Sequence, residues 1–280
     1  MKLLRFGDIG QEKPGVVDVD GTIRDLSAHI DDITGETLSD AGLKSLCDIN
    51  ISSLPVIDAA VRIGTPVTNI GKVVAIGLNY RDHAIEAGMP IPAEPIVFMK
   101  ATSALCGPND GIVIPRNSHC VDWEVELAVI IGKKAKYVSK ADALSHVAGY
   151  SVMNDVSERH FQLEKGGQWV KGKSADSFAP LGPWLVTKDE VADPQELNLW
   201  LEVDGKSYQN GNSDQMIFTV ADIISYLSDH MTLLPGDVII TGTPPGVGMG
   251  FKPPVYLQEG QIVTLGVEGL GQQTQKVYAD

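Results

Sequence analysis

The 280-residue chain has only three cysteines, Cys47, Cys106 and Cys120, and their spacing pairs none of them. A sparse, odd count argues against a disulfide framework and fits a reducing compartment. No Cys-x-x-Cys occurs, which argues against structural zinc. Long apolar runs are also missing: none approaches the ~18 residues of a membrane span. Residues 1–5, Met-Lys-Leu-Leu-Arg, open no apolar leader core. A cytoplasmic protein with no membrane partner is expected. Positive charge is scarce, with 22 Lys and Arg against 36 Asp and Glu, a formal net charge of −14. A nucleic-acid binder needs a basic stripe. Lys133, Lys134 and Lys136 are the nearest approach to one, and they read as a solvated turn after a strand. No nucleic-acid partner is expected. An anionic substrate would meet a repulsive overall field, so a site for it must concentrate positive charge locally.

The apolar content is ordinary, at 43%, enough to exclude wholesale disorder. Residues 1–68 read as a small N-terminal domain. In it, residues 16–19, Asp20-Gly21 and Thr22-Ile23 form a hairpin with a primed turn, and residues 39–46 form a short helix. From Lys72 the pattern changes, and residues 69–280 read as a second, larger domain. Residues 73–78 are a continuous apolar run, as in a strand buried on both faces. A short helix is expected near His83, stopped by Gly88 and Pro90. Strands are expected over 122–131 and 147–153, and hairpins over 197–209 and 262–277. One amphipathic helix stands out, with Thr219 as cap and Val220, Ile223, Ile224 and Leu227 along one face. Strands outnumber helices without regular alternation. The fold class is therefore α+β and β-rich rather than a doubly wound sheet.

Several polar groups stand in places where chemistry is cheap to build. On a strand over 122–131, Glu124 and Glu126 share one face, and that face turns apolar at Ala128 and Ile130. Two buried carboxylates side by side repel each other unless a cation joins them. Mg²⁺ accepts such oxygen ligands. The next strand ends in Asn154-Asp155, a third carboxylate. Arg159 and Gln162 follow, three apart, on one face if a helical turn starts there. His83 and Glu86 form a His-x-x-Glu pair, in which the carboxylate orients the imidazole and raises its basicity. Lys173 stands in Lys171-Gly172-Lys173-Ser174. Thr241-Gly242-Thr243-Pro244-Pro245-Gly246 follows an apolar strand and can offer backbone N–H groups and a hydroxyl to an oxyanion. Taken singly, nearly every one of these features fits a plainer role better, as surface carboxylate, turn former, solvated pair or exposed lysine, and the 241–246 loop fits a tight turn equally well.

In order and spacing together they resemble the fumarylacetoacetate hydrolase family over about residues 70–280. The resemblance rests on Gly77-Leu78-Asn79-Tyr80 with His83 and Glu86, and on Glu124-Val125-Glu126. It continues through Asn154-Asp155-Val156-Ser157, Gly172-Lys173-Ser174, residues 234–239 (Leu-Pro-Gly-Asp-Val-Ile) and Thr241-Gly242-Thr243-Pro244. It implies a mixed β-roll with a small N-terminal domain. It implies Mg²⁺, or Mn²⁺, on Glu124, Glu126 and Asp155. His83 and Glu86 would be a water-activating dyad, Lys173 a charge stabiliser, and Arg159, Gln162 and Thr243 substrate ligands. A homodimer is implied as well. One departure is visible: fumarylacetoacetate hydrolase itself brings a fourth carboxylate to the metal from upstream of the histidine, and residues 74–79 offer none here. Further stretches, Gly10 to Gly15, Ile23 to His29, Gly166-Gly167-Gln168-Trp169 and Tyr208 to Asn212, resemble the 2,4-diketo-3-deoxy-L-rhamnonate and L-fuconate hydrolases. Similar sequences are also labelled ureidoglycolate lyases. The expected activity is metal-dependent hydrolysis of a carbon–carbon bond in a small anionic dioxo acid, giving pyruvate and lactate. The alternatives are a ureidoglycolate lyase, an oxaloacetate decarboxylase or acylpyruvate hydrolase, and a non-catalytic member of the family.

Overall fold

The computed structural model describes residues 1–280. The chain is β-rich with few helices. Its largest sheet has ten strands. From one edge the order is Ile23–Asp25, Lys13–Val17, Lys2–Phe6, Ala179–Thr187, Val147–Asn154, Val125–Ile131, Val238–Ile240, Val73–Gly77 and Ile96–Lys100, with Leu105–Cys106 pairing off Ala179–Thr187. Val238–Ile240 runs parallel to Val73–Gly77 and antiparallel to Val125–Ile131. These central strands are buried on both faces, so their sequences read as unbroken apolar runs rather than alternations. A second sheet orders Lys206–Asn212, Asn198–Val203, Ile262–Val267, Gly271–Ala279 and Ile112–Ile114. Its Gln209 side chain accepts a hydrogen bond from the Val125 N–H at 2.9 Å, tying it to the middle of the large sheet.

Local signals explain most of these elements. Thr219 caps the helix Val220–His230 in a reciprocal box with Asp222, and Val220, Ile223, Ile224 and Leu227 are buried. Ser39 caps the helix Asp40–Cys47. Asp204 and Gly205, both at positive φ, turn Asn198–Val203 into Lys206–Asn212.

The N-terminal hairpin is wider than a two-residue turn allows. Its strands end at Val17 and restart at Ile23, and the Asp18 N–H to Thr22 carbonyl bond closes the loop. The Asp18 and Asp20 carboxylates accept from the Val19 and Thr22 amides, which favours this longer loop. The three N-terminal strands join the large sheet where Lys2–Phe6 pairs with Ala179–Thr187. Leu3, Val16, Leu26, Ile33 and Leu38 belong to the same core cluster as Val125 and Ile239. The change of pattern near residue 68 thus divides the sequence, while the core crosses it.

Candidate active site

The expected single strand over 122–131 is two strands, Val121–Asp122 and Val125–Ile131, broken at Trp123-Glu124. Side chains take over the ladder at the break. The Asp122 carboxylate accepts from the amides of Trp123, Gly248 and Met249, and the Glu124 amide donates to the Asn154 side chain at 3.1 Å. The Asp155 amide in turn donates to the Glu124 carbonyl at 2.9 Å. The break therefore brings the first carboxylate against the end of Val147–Asn154. One carboxylate oxygen from each of Glu124, Glu126 and Asp155 lies within 4.8 Å of the others, and all three residues are buried.

Three cations surround this group. The Lys173 ammonium donates to Glu124 at 2.9 Å and to Asp155 at 2.6 Å. Lys173 ends the short helix Val170–Lys173, which packs so closely on Arg159–Glu164 that a Cβ on Gly172 would stand 2.4 Å from the Glu158 carbonyl oxygen. Lys100, at the end of Ile96–Lys100, bonds the other Asp155 oxygen and donates to the Val156 carbonyl at 3.1 Å. Arg159 donates through Nε to Asp122 at 2.8 Å, lies 2.7 Å from Glu124, and donates to Gln162 at 3.1 Å. Its Nη2 stands 2.8 Å from the same Asp122 carboxylate, so Asp122 anchors the guanidinium on two nitrogens.

Charge accounting shows what the cluster is suited to hold. Asp122, Glu124, Glu126 and Asp155 face Lys100, Lys173 and Arg159, one negative charge in excess if every carboxyl is ionised. Glu126 is the odd one out. It has no cationic hydrogen-bond partner and accepts only from the Gly242 amide at 2.7 Å. Burial, then the neighbouring Asp155 and Glu124 charges, push its carboxyl well above the usual range. Burial also opposes ionisation of Glu124, but Lys173 and Arg159 outweigh it and hold that carboxyl at about 2. Three hard oxygen donors and an unrelieved repulsion fit a divalent cation such as Mg²⁺ or Mn²⁺. With such an ion and Glu126 ionised, the cluster would carry one net positive charge, the sign an acid substrate needs in a chain of net charge −14.

The histidine pair is also assembled. His83 lies on the helix Arg81–Glu86, and its Nδ1 stands 3.1 Å from the Glu86 carboxylate. Glu86 also accepts from the Gly246 amide at 3.1 Å. Burial raises its pKa, but the bonds from His83 and Gly246 outweigh burial, and the carboxyl ends below its ordinary value. The 241–246 loop therefore spends two of its N–H groups on the protein's own carboxylates, Gly242 on Glu126 and Gly246 on Glu86. Thr243 donates its hydroxyl to the Val125 carbonyl and accepts from Gln209. His83, Glu86, Glu124, Glu126, Arg159, Gln162, Lys173 and Thr243 all line one cavity of about 490 Å³; Asp155 holds its ligand atom just behind that wall.

The fumarylacetoacetate (FAA) hydrolase C-terminal family matches residues 72–278. The chain belongs to the fumarylacetoacetate hydrolase family. A Burkholderia multivorans protein named only as a hydrolase is 64% identical over 280 residues, covering 100% of this chain and 99% of that one. Among solved structures, a fumarylacetoacetate hydrolase from Exiguobacterium antarcticum superposes with TM-score 0.90 at 36% identity, covering 100% of both chains. A maleylpyruvate hydrolase from Sphingobium, in complex with manganese(II) and pyruvate, superposes with TM-score 0.83 at 31% identity, covering 100% of this chain and 99% of that one.

Two residues of this family member's site escaped the sequence reading. Lys100 had a signal: on Ile96–Lys100 the exposed residues are Val97 and Met99, so Lys100 falls on the inward side with Ile96 and Phe98. A lysine on the buried side of a strand needs a buried carboxylate. Asp122 had none, because an Asp at a strand end is as easily a turn former.

Proposed function

We propose that this family member is a Mg²⁺- or Mn²⁺-dependent hydrolase that cleaves the C3–C4 bond of a 2,4-diketo-3-deoxy sugar acid derived from L-rhamnonate or L-fuconate. The observation that carries the reading is one cavity lined by a carboxylate–cation cluster and a His–Glu pair. The Sphingobium relative's manganese and pyruvate support both the ion and the identity of one product. A divalent cation held by Glu124, Glu126 and Asp155 would bind the acid's carboxylate end and draw off the negative charge that develops during cleavage.

The chain's own groups supply the rest. Glu86 accepts from Nδ1 of His83 and so leaves Nε2 as the base. His83 takes a proton from water, and the resulting hydroxide adds to C4. The C3–C4 bond breaks, C4 keeps the incoming oxygen, and C3 keeps the electron pair and takes up a proton. A six-carbon 6-deoxy acid plus one water thus gives lactate and pyruvate. Lys173 faces the cavity and opposes the negative charge that develops at the pyruvate end. Arg159 and Gln162 offer donors to the substrate's oxygens.

The test is turnover of both diketo acids with Mg²⁺, with Mn²⁺ and with EDTA, beside the variants Glu124→Ala and His83→Ala. The expected result is metal-dependent lactate and pyruvate, lost in both variants. Full activity in either variant overturns the site. Urea and glyoxylate formed from ureidoglycolate, with the diketo acids untouched, would overturn the substrate and the attacking water.

A further inference from the structure

We propose that Trp169, seated on Gly77, is a specificity-determining wall that selects acids whose tail ends in a hydrocarbon group. This deepens the proposed function and rests on it for the orientation of the acid, with its carboxylate at the ionic cluster.

The wall is built by a stretch to which the chemistry above assigns nothing. Gly166 and Gly167, both at positive φ, carry the chain out of the helix Arg159–Glu164. They deliver Trp169 to the start of the turn that ends in Lys173. The indole then lies on the strand Val73–Gly77. A Cβ on Gly77 would stand 2.5 Å from Cζ3 and 3.0 Å from Cη2 of the ring, so only glycine leaves the ring its seat. Phe98 meets Trp169 edge-on, with ring centroids 5.3 Å apart. The Phe98 ring centroid also lies 5.0 Å from the Lys173 ammonium. The apolar wall therefore starts beside the ionic cluster and leads away from it. Ile96, Leu78 and Met89 line the same cavity.

Size and polarity set the selection. The cavity of about 490 Å³ equals the liquid volume of roughly sixteen waters at about 30 Å³ each. A six-carbon diketo acid has eleven non-hydrogen atoms and fits within that volume, and the Lys173–Phe98–Trp169 contacts put the wall next to the ionic end. Phe98, Ile96, Leu78 and Gly77 bring no side-chain hydrogen-bonding group, and Trp169 brings a single donor, its indole Nε1–H. A terminal hydroxymethyl against the ring faces and aliphatic side chains would lose its water for at most that one donor, while a methyl or longer alkyl group gains by burial.

The test uses unreactive straight-chain 2-oxo acids, pyruvate through 2-oxohexanoate, titrated calorimetrically into the Mg²⁺-loaded protein. Affinity is expected to rise about fourfold per added methylene. In Trp169→Ala this dependence on chain length should collapse, and Trp169→Phe should keep part of it. Gly77→Ala should act like Trp169→Ala, because the new methyl collides with the end of the ring and otherwise makes only an ordinary 3.5 Å contact with Ile96 Cγ2. An undiminished chain-length dependence in both Trp169→Ala and Gly77→Ala would overturn the proposal. So would equal affinity for 2-oxohexanoate and 5-hydroxy-2-oxopentanoate in the unaltered protein. The probes do not react, so these results are independent of turnover: loss of the hydrolase reading shows as absent lactate, loss of the wall as a flat binding series.

Discussion

Binding of a divalent cation should release a proton from Glu126. In the metal-free protein, burial and the charges of Asp155 and Glu124 hold its carboxyl well above the ordinary range. Glu124 is held at about 2 by Lys173 and Arg159, so it has no proton to give near neutrality. A ligand must be ionised to bind. While Glu126 stays protonated in the free protein, each unit rise in pH should therefore tighten Mn²⁺ binding about tenfold, or roughly 1.4 kcal/mol. The same shift has a stability consequence. A carboxyl with a raised folded-state pKa stabilises fully below the unfolded pKa, and that stability is lost as pH rises through the folded value. The metal-free protein should melt lower as pH rises above the ordinary glutamate range, and Mn²⁺ should recover the loss. Calorimetric titration of Mn²⁺ at several pH values, in buffers of different ionisation enthalpy, reads both the slope and the proton. A Kd that stays constant as pH rises from the ordinary glutamate range, with no proton passed to the buffer at any pH, would contradict this prediction.

Other perturbations follow from the same contacts. Lys100→Met leaves the outer Asp155 oxygen without its cation; breaking a buried pair costs about 3–5 kcal/mol, read by denaturant unfolding of the metal-free protein, and a loss under about 1 kcal/mol would show that the pair contributes little. His83→Asn should lower kcat by about 10²–10⁴ while leaving Mn²⁺ affinity within experimental error, since His83 lies outside the three-carboxylate group. Asp122→Asn removes the charge that anchors Arg159, so KM for the diketo acid should rise more than kcat falls in steady-state assays.

The parts of the site that follow one another in sequence were legible there. His83 and Glu86 are one turn apart on a helix, and Glu124 and Glu126 bracket one residue, so local spacing alone pairs them. Asp155 joined them through strand order. The strand break at Trp123-Glu124 was not legible, because its causes are long-range: Asp122 is claimed by the amides of Gly248 and Met249, and Glu124 by Asn154. Lys100 carried the signal of a lysine on the inward side of its strand, but its partner was not legible, since Asp155 is 55 residues away. The sequence offers Thr243 as an open hydroxyl, but the structure commits its proton to the Val125 carbonyl. In the fold, continuous apolar runs marked the central strands correctly, yet nothing in residues 1–68 announced that Lys2–Phe6 pairs with a strand almost two hundred residues later.

The proposed reaction requires water to add to C4 before the carbon–carbon bond breaks. Turnover of 2,4-diketo-3-deoxy-L-rhamnonate in H₂¹⁸O with saturating Mg²⁺, followed by mass analysis of the lactate, tests it most directly. The lactate carboxylate does not exchange with water, so it should carry at least one ¹⁸O for each molecule cleaved. Lactate without the label, or consumption of the acid without any lactate, would contradict the account.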